Sequence, residues 1–350
     1  MATQSMIAAV LHGSENLCIE NVARSGKPGK GMALIKITSV GICGTDLNTF
    51  RKGADGDDFI PGHEFTGVVE AVGPEALDGN FHQLLPSTRV AVDPAQPCGH
   101  CEMCEKGNPN LCENLHFLGL YPDNGSLCQW IIVQAHSCFP VPDSIDSSQA
   151  VMLEPLGVAI HATDLARIRV NDSVVILGAG PIGLCILQLA ILSGANPIFI
   201  SDKLQWRLDV ARKFGAVTIN CEKNDPVEIV SKKTGGRGVD VAIEVAWADQ
   251  SIQQAADMAR LGGRLVLVGI PHDDRFVAKA SVLRRKGLTM RMCRRMKHAY
   301  PRAIQLVEQN TVDVSSLVSH HFPFKKVAEA FELNAAYRDK VLKVIIDIET

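Results

Sequence analysis

Four cysteines, Cys98, Cys101, Cys104 and Cys112, fall in one short stretch at the spacing C-x2-C-x2-C-x7-C. A single loop can then offer four thiolates to a tetrahedral zinc without long-range closure of the chain. With sulfur at every position no coordination site stays open, so such a metal is structural and adds directly to the stability of its loop. An iron–sulfur cluster also takes four thiolates, but a second candidate metal site favours zinc. That second set is Cys43, in Gly41-Ile42-Cys43-Gly44-Thr45-Asp46, with His63 and Glu64, in Pro61-Gly62-His63-Glu64-Phe65-Thr66-Gly67. A thiolate, an imidazole and a carboxylate suit zinc, and three ligands leave one position for water or substrate, which makes the metal a usable Lewis acid. Glu154, in Leu153-Glu154-Pro155-Leu156-Gly157, is a further candidate. A lone cysteine is ordinarily a core residue and a lone His-Glu pair a surface one, so the reading rests on the combination.

A different chemistry is signalled where Val174-Val175-Ile176-Leu177 runs into Gly178-Ala179-Gly180-Pro181-Ile182-Gly183. This is a G-x-G-x-x-G between a strand and a helix: glycine lets the backbone approach a pyrophosphate, and the helix N-terminus supplies unpaired N–H donors to the anion. Asp202 follows the next strand at about the 20-residue distance of the acid that binds the adenosine ribose hydroxyls. A carboxylate there repels the extra phosphate of NADP, so NAD is the expected cofactor; Lys203 and Arg207 stand close enough to soften that preference, and a helix cap is the structural alternative for Asp202. Val268 and Gly269, at the end of a later strand, complete the expected cofactor positions.

These groups need elements to hold them. The N-terminal part alternates short β-rich runs, Ala33–Ile37 and Gly67–Val72 among them, with turn-forming stretches, and predicts a mostly β domain. From about residue 145 the texture becomes βα alternation. Strands are expected at Val174–Leu177, Pro197–Ile200, Val239–Ile243 and Gly263–Val268, with helices at Ile182–Ser193, Gln205–Phe214 and Asp249–Leu261, which together predict a parallel, doubly wound Rossmann sheet. The tail carries amphipathic helices at Tyr300–Gln309 and Lys325–Leu333 and a strand at Val341–Ile346, and is expected to return to the first domain. The resulting α/β organisation places a zinc catalytic domain at 1–145 and 295–350, with the structural zinc lobe at 93–115, and the nucleotide domain at 146–294.

A length of 350 residues suits two domains, and 46% hydrophobic against 21% charged residues suits a globular chain. A formal net charge of −3 provides no broad cationic surface for nucleic acid or an anionic membrane. The one basic cluster, Arg284-Arg285-Lys286 with Arg291, Arg294, Arg295 and Lys297, reads as a solvated face, a subunit contact or a neighbour of the cofactor or substrate. Met1–Val10 lacks the cationic start and apolar core of a signal peptide, no apolar run is long enough to span a bilayer, and four of the eleven cysteines crowd together as metal ligands would in a reducing compartment. The cytoplasm is therefore the expected location. His161 reads as a core histidine, and His12, His82, His116, His298 and the pair His320-His321 carry no motif.

Taken together, these residues resemble the zinc-containing medium-chain dehydrogenase/reductase family, in its sorbitol (L-iditol) 2-dehydrogenase and threonine 3-dehydrogenase branch. The motifs that carry the resemblance are the four-cysteine lobe, Gly62-His63-Glu64, Leu153-Glu154-Pro155-Leu156 with Val158-Ala159-Ile160-His161, and the nucleotide turn. The resemblance implies a GroES-like catalytic domain split around the Rossmann domain, a catalytic zinc in the cleft beside a structural one, and a homodimer or homotetramer. It implies zinc ligation at Cys43 and His63, with Glu64 and Glu154 as the two candidates for the remaining protein ligand. Asp46 matches the carboxylate that orients the zinc histidine, and Thr45 the hydroxyl that passes the substrate proton towards the nicotinamide ribose. Many relatives carry a histidine three residues after that hydroxyl; here it is Asn48. Arg295 matches an arginine near cofactor and zinc in sorbitol dehydrogenases, but the tyrosine that follows it there is Met296 here. The implied activity is oxidation of a secondary hydroxyl of a polyol, sugar or sugar acid to a ketone with NAD. A threonine or simple-alcohol dehydrogenase would use the same metal and cofactor, and a silent zinc- and nucleotide-binding sensor is the rival from another class.

Overall fold

Every second side chain of a pleated strand faces the same way, so the alternating runs of the N-terminal part fold into strands with one buried face. The computed structural model describes residues 5–24, 26–54, 56, 58–246, 248, 250–270 and 275–348. The chain forms two units, Met1–Glu154 with Tyr300–Thr350, and Pro155–Ala299. The first opens with an antiparallel pair, β1 (Ser5–Leu11) and β2 (Leu17–Ala23). Then come β3 (Met32–Gly41), α1 (Gly44–Lys52), β4 (Glu64–Val72) and β5 (Arg89–Val92). The short β6 (Ala95–Gln96), α2 (Glu102–Glu105) and β7 (His116–Phe117) follow, and then β8 (Trp130–Gln134), β9 (Cys138–Pro140) and α3 (Ser147–Val151). Helix α4 (Leu153–Ala166) carries the chain across the boundary between the units. Strands β3 and β4 are longer than the sequence suggests, and the extra residues run to the candidate metal ligands.

The second unit alternates β10 (Val174–Leu177), α5 (Pro181–Leu192), β11 (Ile198–Asp202), α6 (Gln205–Lys213), β12 (Val217–Asn220) and α7 (Pro226–Lys233). It continues with β13 (Val239–Glu244), α8 (Ser251–Met258), β14 (Ala259–Leu267), α9 (Ala280–Lys286) and β15 (Thr289–Met292). The sheet order is β12-β11-β10-β13-β14-β15 and each neighbouring pair is parallel. This is the doubly wound order, in which the chain direction across the sheet reverses beside its first strand. Strands β10 and β13 are buried along their whole length, as strands covered on both faces must be. Val175, Leu177, Phe199, Ile219, Ala242 and Leu265 belong to the core.

Two boundaries are corrected. The helix expected to reach Leu261 ends at Met258, and the strand expected at Gly263 already starts at Ala259. The pair Gly262-Gly263 reads as a break, and the pairing does lapse there: the ladder to β13 jumps from Ala259, opposite Val239, to Arg264, opposite Val241, while the strand continues through the irregularity. The expected helix start, Asp249, lies outside the described residues.

The tail adds α10 (Tyr300–Glu308), β16 (Val318–Pro323), α11 (Val327–Ala335) and β17 (Lys343–Asp347) to the first unit. Its seven-stranded sheet runs β16-β17-β3-β4-β5-β9, and β8 pairs with the first half of β3. Tyr300 pins the returning segment: its ring stacks on Phe139 at 4.7 Å and its hydroxyl donates to the Val92 carbonyl at 2.7 Å. Ile35, Ile37, Phe65, Val90, Phe331, Val344 and Ile346 form part of the core beneath. No described helix is long and apolar enough to cross a membrane.

Candidate functional site

The C-terminal end of β3 is where the first unit's chemistry collects. β3 stops at Gly41, and Cys43 caps α1 with extended backbone. β4 starts at Glu64, directly opposite Gly41 in the antiparallel register, and β17 sets Ile345 against the other side of Gly41. A side chain at 41 would bring its Cβ to 2.4 Å from Glu64 Oε2 and 2.8 Å from Val151, so only glycine leaves room for the carboxylate. The register therefore brings together Cys43, His63 and Glu64, whose candidate ligand atoms all lie within 4.8 Å of one another. Glu154 lies outside that group.

Asp46, in the first turn of α1, ties the pieces together. Its Oδ2 accepts from the Cys43 backbone N–H at 2.8 Å and its Oδ1 from the Gly62 N–H at 3.3 Å. The same Oδ1 lies 3.3 Å from His63 Nδ1, without the alignment of a full hydrogen bond. This is the contact by which a carboxylate orients a metal-binding histidine through its other ring nitrogen. Burial disfavours a charged His63 ring, yet the negative charges of Asp46 and Cys43 outweigh it and hold the pKa well above the usual histidine value. The pocket thus draws in positive charge, whether proton or dication.

Lys343 belongs to none of the sequence motifs yet stands at the centre of this site. It is 4% exposed, and its Nζ donates to both Glu64 oxygens, at 2.8 and 2.5 Å, and to the Ile42 carbonyl at 3.1 Å. Burial pushes its ammonium down, but the facing charge of Glu64 and then of Cys43 prevails and the pKa is raised. The signal was present: Lys343 interrupts the otherwise apolar Val341–Ile346, and a lysine inside a buried strand needs a paired anion. Glu154, on the first turn of α4, is the opposite case. Burial and the charge of Glu64 push its carboxyl up to about 8, so near neutral pH it is mostly protonated unless a further cation approaches. Thr45 and Asn48 follow Cys43 on α1, both half-buried.

In the cysteine lobe the four sulfurs again lie within 4.8 Å of one another, with none in a disulfide. Cys98 and Cys112 sulfurs are 3.5 Å apart, and Cys101 and Cys112 sulfurs 3.8 Å. A tetrahedron with metal–sulfur bonds of about 2.3 Å has sulfur–sulfur edges of roughly 3.8 Å. The cage thus fits one zinc, whereas an iron–sulfur cluster would spread the thiolates farther apart. Backbone amides of Cys104 and Glu113 hold the Cys101 thiol down to about 6, which makes a thiolate available.

In the second unit, Gly180 caps α5 and Pro181 and Ile182 open its first turn. Two of the three glycines are demanded by the protein itself. Gly178 has φ +113°, and a Cβ on Gly183 would sit 2.0 Å from the Gly178 carbonyl oxygen. Gly180 is not: the nearest atom to its Cβ would be Arg207 Nη1 at 3.7 Å, an ordinary contact. The room beside it fits the close approach of a pyrophosphate. Asp202 ends β11, its oxygens accepting from the backbone N–H groups of Ala179 and Leu204 at 2.8 Å, with Arg207 Nη1 3.9 Å away. Lys203 is exposed beside it. Val268 and Gly269 leave the end of β14 and both donate to the Glu244 carbonyl, at 2.8 and 3.2 Å. Arg295 also belongs to this unit, half-buried at φ +57°.

Residues 29–143 match the alcohol dehydrogenase GroES-like domain, and residues 181–309 the zinc-binding dehydrogenase domain. Sorbitol dehydrogenase of Bacillus subtilis (strain 168) is 32% identical, over 98% of this chain and 97% of its own length. A solved alcohol dehydrogenase of Escherichia coli CFT073, complexed with NADH, is 28% identical with a TM-score of 0.89, over 98% of this chain and 99% of that one. L-idonate 5-dehydrogenase of E. coli K-12 is 26% identical with a TM-score of 0.85, over 99% of each chain. Fold and site define a zinc-dependent dehydrogenase acting on CH–OH groups. The chain belongs to the zinc-containing medium-chain dehydrogenase/reductase family, in its sorbitol dehydrogenase-like branch.

Lys343→Met leaves the Glu64 carboxylate buried without its ammonium, and urea unfolding of the zinc-stripped variant should show a loss of about 3–5 kcal/mol. Zinc should recover more stability in the variant than in the parent, because the dication then takes over as counter-charge. Gly180→Val should fold with an unchanged melting temperature yet bind NADH at least tenfold more weakly by fluorescence titration. Gly183→Val, by contrast, should lower the melting temperature itself.

Proposed function

We propose that this enzyme oxidises a secondary hydroxyl of a polyol, sugar or sugar acid to a ketone and passes the hydride to NAD. The observation that carries the reading is the three-ligand group of Cys43, His63 and Glu64, a donor set that suits zinc and leaves a position for substrate. The second zinc is assigned to Cys98, Cys101, Cys104 and Cys112, giving two per chain. The names of the relatives, a sorbitol and an L-idonate dehydrogenase, support the substrate class.

Zinc at this site supplies a Lewis acid that favours the substrate alkoxide, and the nicotinamide supplies the hydride acceptor. The chain's own residues do the rest. Asp46 holds His63 by its outer nitrogen, and Lys343 holds the Glu64 carboxylate in place through both of its oxygens. A carboxylate has about four lone-pair sites, so Glu64 can keep its ammonium and still offer a pair to the metal. Glu154, mostly protonated when the site is empty of cations, becomes a carboxylate as positive charge arrives and is the second candidate for the remaining ligand. The Thr45 hydroxyl both accepts and donates, and so can pass on the substrate proton. Asn48 cannot take it, because a neutral amide holds no extra proton near neutral pH; the last transfer runs through water.

Cofactor selectivity is assigned to Asp202. Its backbone partners leave lone pairs for ribose hydroxyls, while its charge opposes a 2′-phosphate; Arg207 and Lys203 lessen that opposition without removing it. Arg295, with Arg294 and Lys297 nearby in sequence, is assigned to a sugar-acid carboxylate. A cytoplasmic homo-oligomer is the assembly we favour. β15 is the outer strand of its sheet, and Met292 on it is 56% exposed, which suits pairing with a second copy.

NADH production at 340 nm across polyols, sugars, aldonates, threonine and primary alcohols tests the reading. Turnover is expected on the first three classes, with kcat/KM at least tenfold higher for NAD than for NADP. Cys43→Ser should lose roughly 10³-fold or more in kcat by weakening the metal site. Binding of zinc and NADH without turnover on any member of the panel would sink the proposal in favour of a sensor.

A further inference from the structure

A second constellation of reactive groups stands on the first unit, built from residues that the dehydrogenase site does not use. β16, β17 and β3 are neighbours, and their register fixes three side chains in a row. Asp347 lies opposite Ser39 on β3, and His321 lies opposite Ile345, two residues before Asp347 on β17. Successive side chains of a strand alternate, so His321, Asp347 and Ser39 share one face. His321 Nδ1 is 3.0 Å from Asp347 Oδ2, and the Ser39 hydroxyl, on a residue only 3% exposed, donates to Asp347 Oδ1 at 3.1 Å. Helix α3 packs on β3 and brings Ser148 Oγ to 3.3 Å from His321 Nε2.

The order Ser148–His321–Asp347 is that of a nucleophile, a base and the carboxylate that orients it. An ionised carboxylate only accepts hydrogen bonds, so the ring proton of neutral His321 belongs on Nδ1. Nε2 is then the acceptor facing the Ser148 hydroxyl, which is the tautomer general-base catalysis needs. The His321 side chain is 48% exposed and that of Asp347 33%, so a reagent can reach the pair from solvent.

We propose that Ser148 is an activated nucleophile that takes acyl groups from activated carboxylic esters. In the step, Ser148 Oγ bonds to the carbonyl carbon as its proton passes to His321 Nε2. The bond from that carbon to the leaving oxygen then breaks, and the leaving group takes the proton from His321. Water then gives a proton to the same nitrogen and attacks the acyl carbon; the bond from that carbon to Ser148 Oγ breaks, Oγ takes the proton back from His321, and a carboxylic acid leaves. No oxidant or reductant is needed. Asp347 acts as a positioning residue, and Ser39 fixes it from the buried side.

Labelling of the full-length, zinc-loaded enzyme with a fluorophosphonate, read by peptide mass spectrometry, tests this, with p-nitrophenyl acetate hydrolysis as the second readout. Modification at Ser148 is expected, absent in Ser148→Ala and at least tenfold slower in His321→Asn. In Asp347→Asn an amide N–H facing Nδ1 would force the ring proton to Nε2, so labelling should slow as much while the melting temperature and NADH-linked activity stay unchanged. Asp347→Glu, which restores an acceptor, should regain part of the rate. Absence of label from Ser148, an equal rate in His321→Asn, or equal labelling of the urea-unfolded chain would each overturn the proposal, and none of these results bears on the dehydrogenase reading.

Discussion

Several acidic groups are buried together at the end of β3, and the first unit's functional architecture answers to that constraint. An isolated carboxylate removed from water costs several kcal/mol even after the surroundings relax. Here Asp46, Glu64 and Glu154 are 2%, 1% and 6% exposed; Asp46 and Glu64 stand beside the half-buried Cys43, and Glu154 feels the charge of Glu64. Lys343 neutralises one carboxylate, Asp46 spreads its charge over two backbone N–H groups, and Glu154 escapes the cost by holding its proton. What is left over is negative potential focused on His63. A divalent cation is the economical answer to such a site, and the requirement explains details that would otherwise look unrelated: a glycine at 41, a lysine inside the last strand, and a tail that returns to pair with β3.

The second unit depends on a different constraint, the unpaired N–H groups at the start of α5. A helix N-terminus can meet an anion only if the chain before it stays out of the way. The three glycines of the turn divide this work. Gly178 and Gly183 let the turn close on itself, since the 183 position touches the 178 carbonyl; Gly180 leaves open the space in front of the helix. The distinction is physical and cannot be read from the motif, which treats all three as equivalent.

Legibility in the sequence followed the range of the interactions involved. The clustering of the four cysteines was readable from spacing because all four lie within one loop, and the glycine-rich turn because strand, glycines and helix are contiguous. The doubly wound sheet was readable from its alternation, although β12 and β15 went unnamed, being four-residue strands with weak patterns. Strand ends were read short at β3 and β4, because Thr38-Ser39 and Glu64 to Thr66 interrupt the apolar runs with polar residues whose pairing across the sheet is not visible in the sequence. Lys343 escaped for the same reason: it is 279 residues from Glu64, and only the order β17-β3-β4 makes them neighbours. His321 carries no local motif either, and its partners Ser148 and Asp347 are distant in sequence.

The contrast between the two candidate metal sites has a physical cause. A closed site can be built by a flexible loop, because four thiolates folding around a zinc satisfy the metal and the loop together. An open site cannot. A loop free to move would bring a further side chain or carbonyl into the vacancy, and the position needed for substrate would be lost. Holding a coordination position empty requires ligands that cannot relax towards it, and rigid strands and helix ends are where side chains are held within small fractions of an ångström. The candidate ligands Cys43, on a helix cap, and His63 and Glu64, at the entry to a strand, with Lys343 on a nearby strand, would meet that need. A catalytic metal therefore draws its ligands and their supports from distant parts of the chain, and the dispersion that hides such a site from sequence reading is the same property that keeps it open.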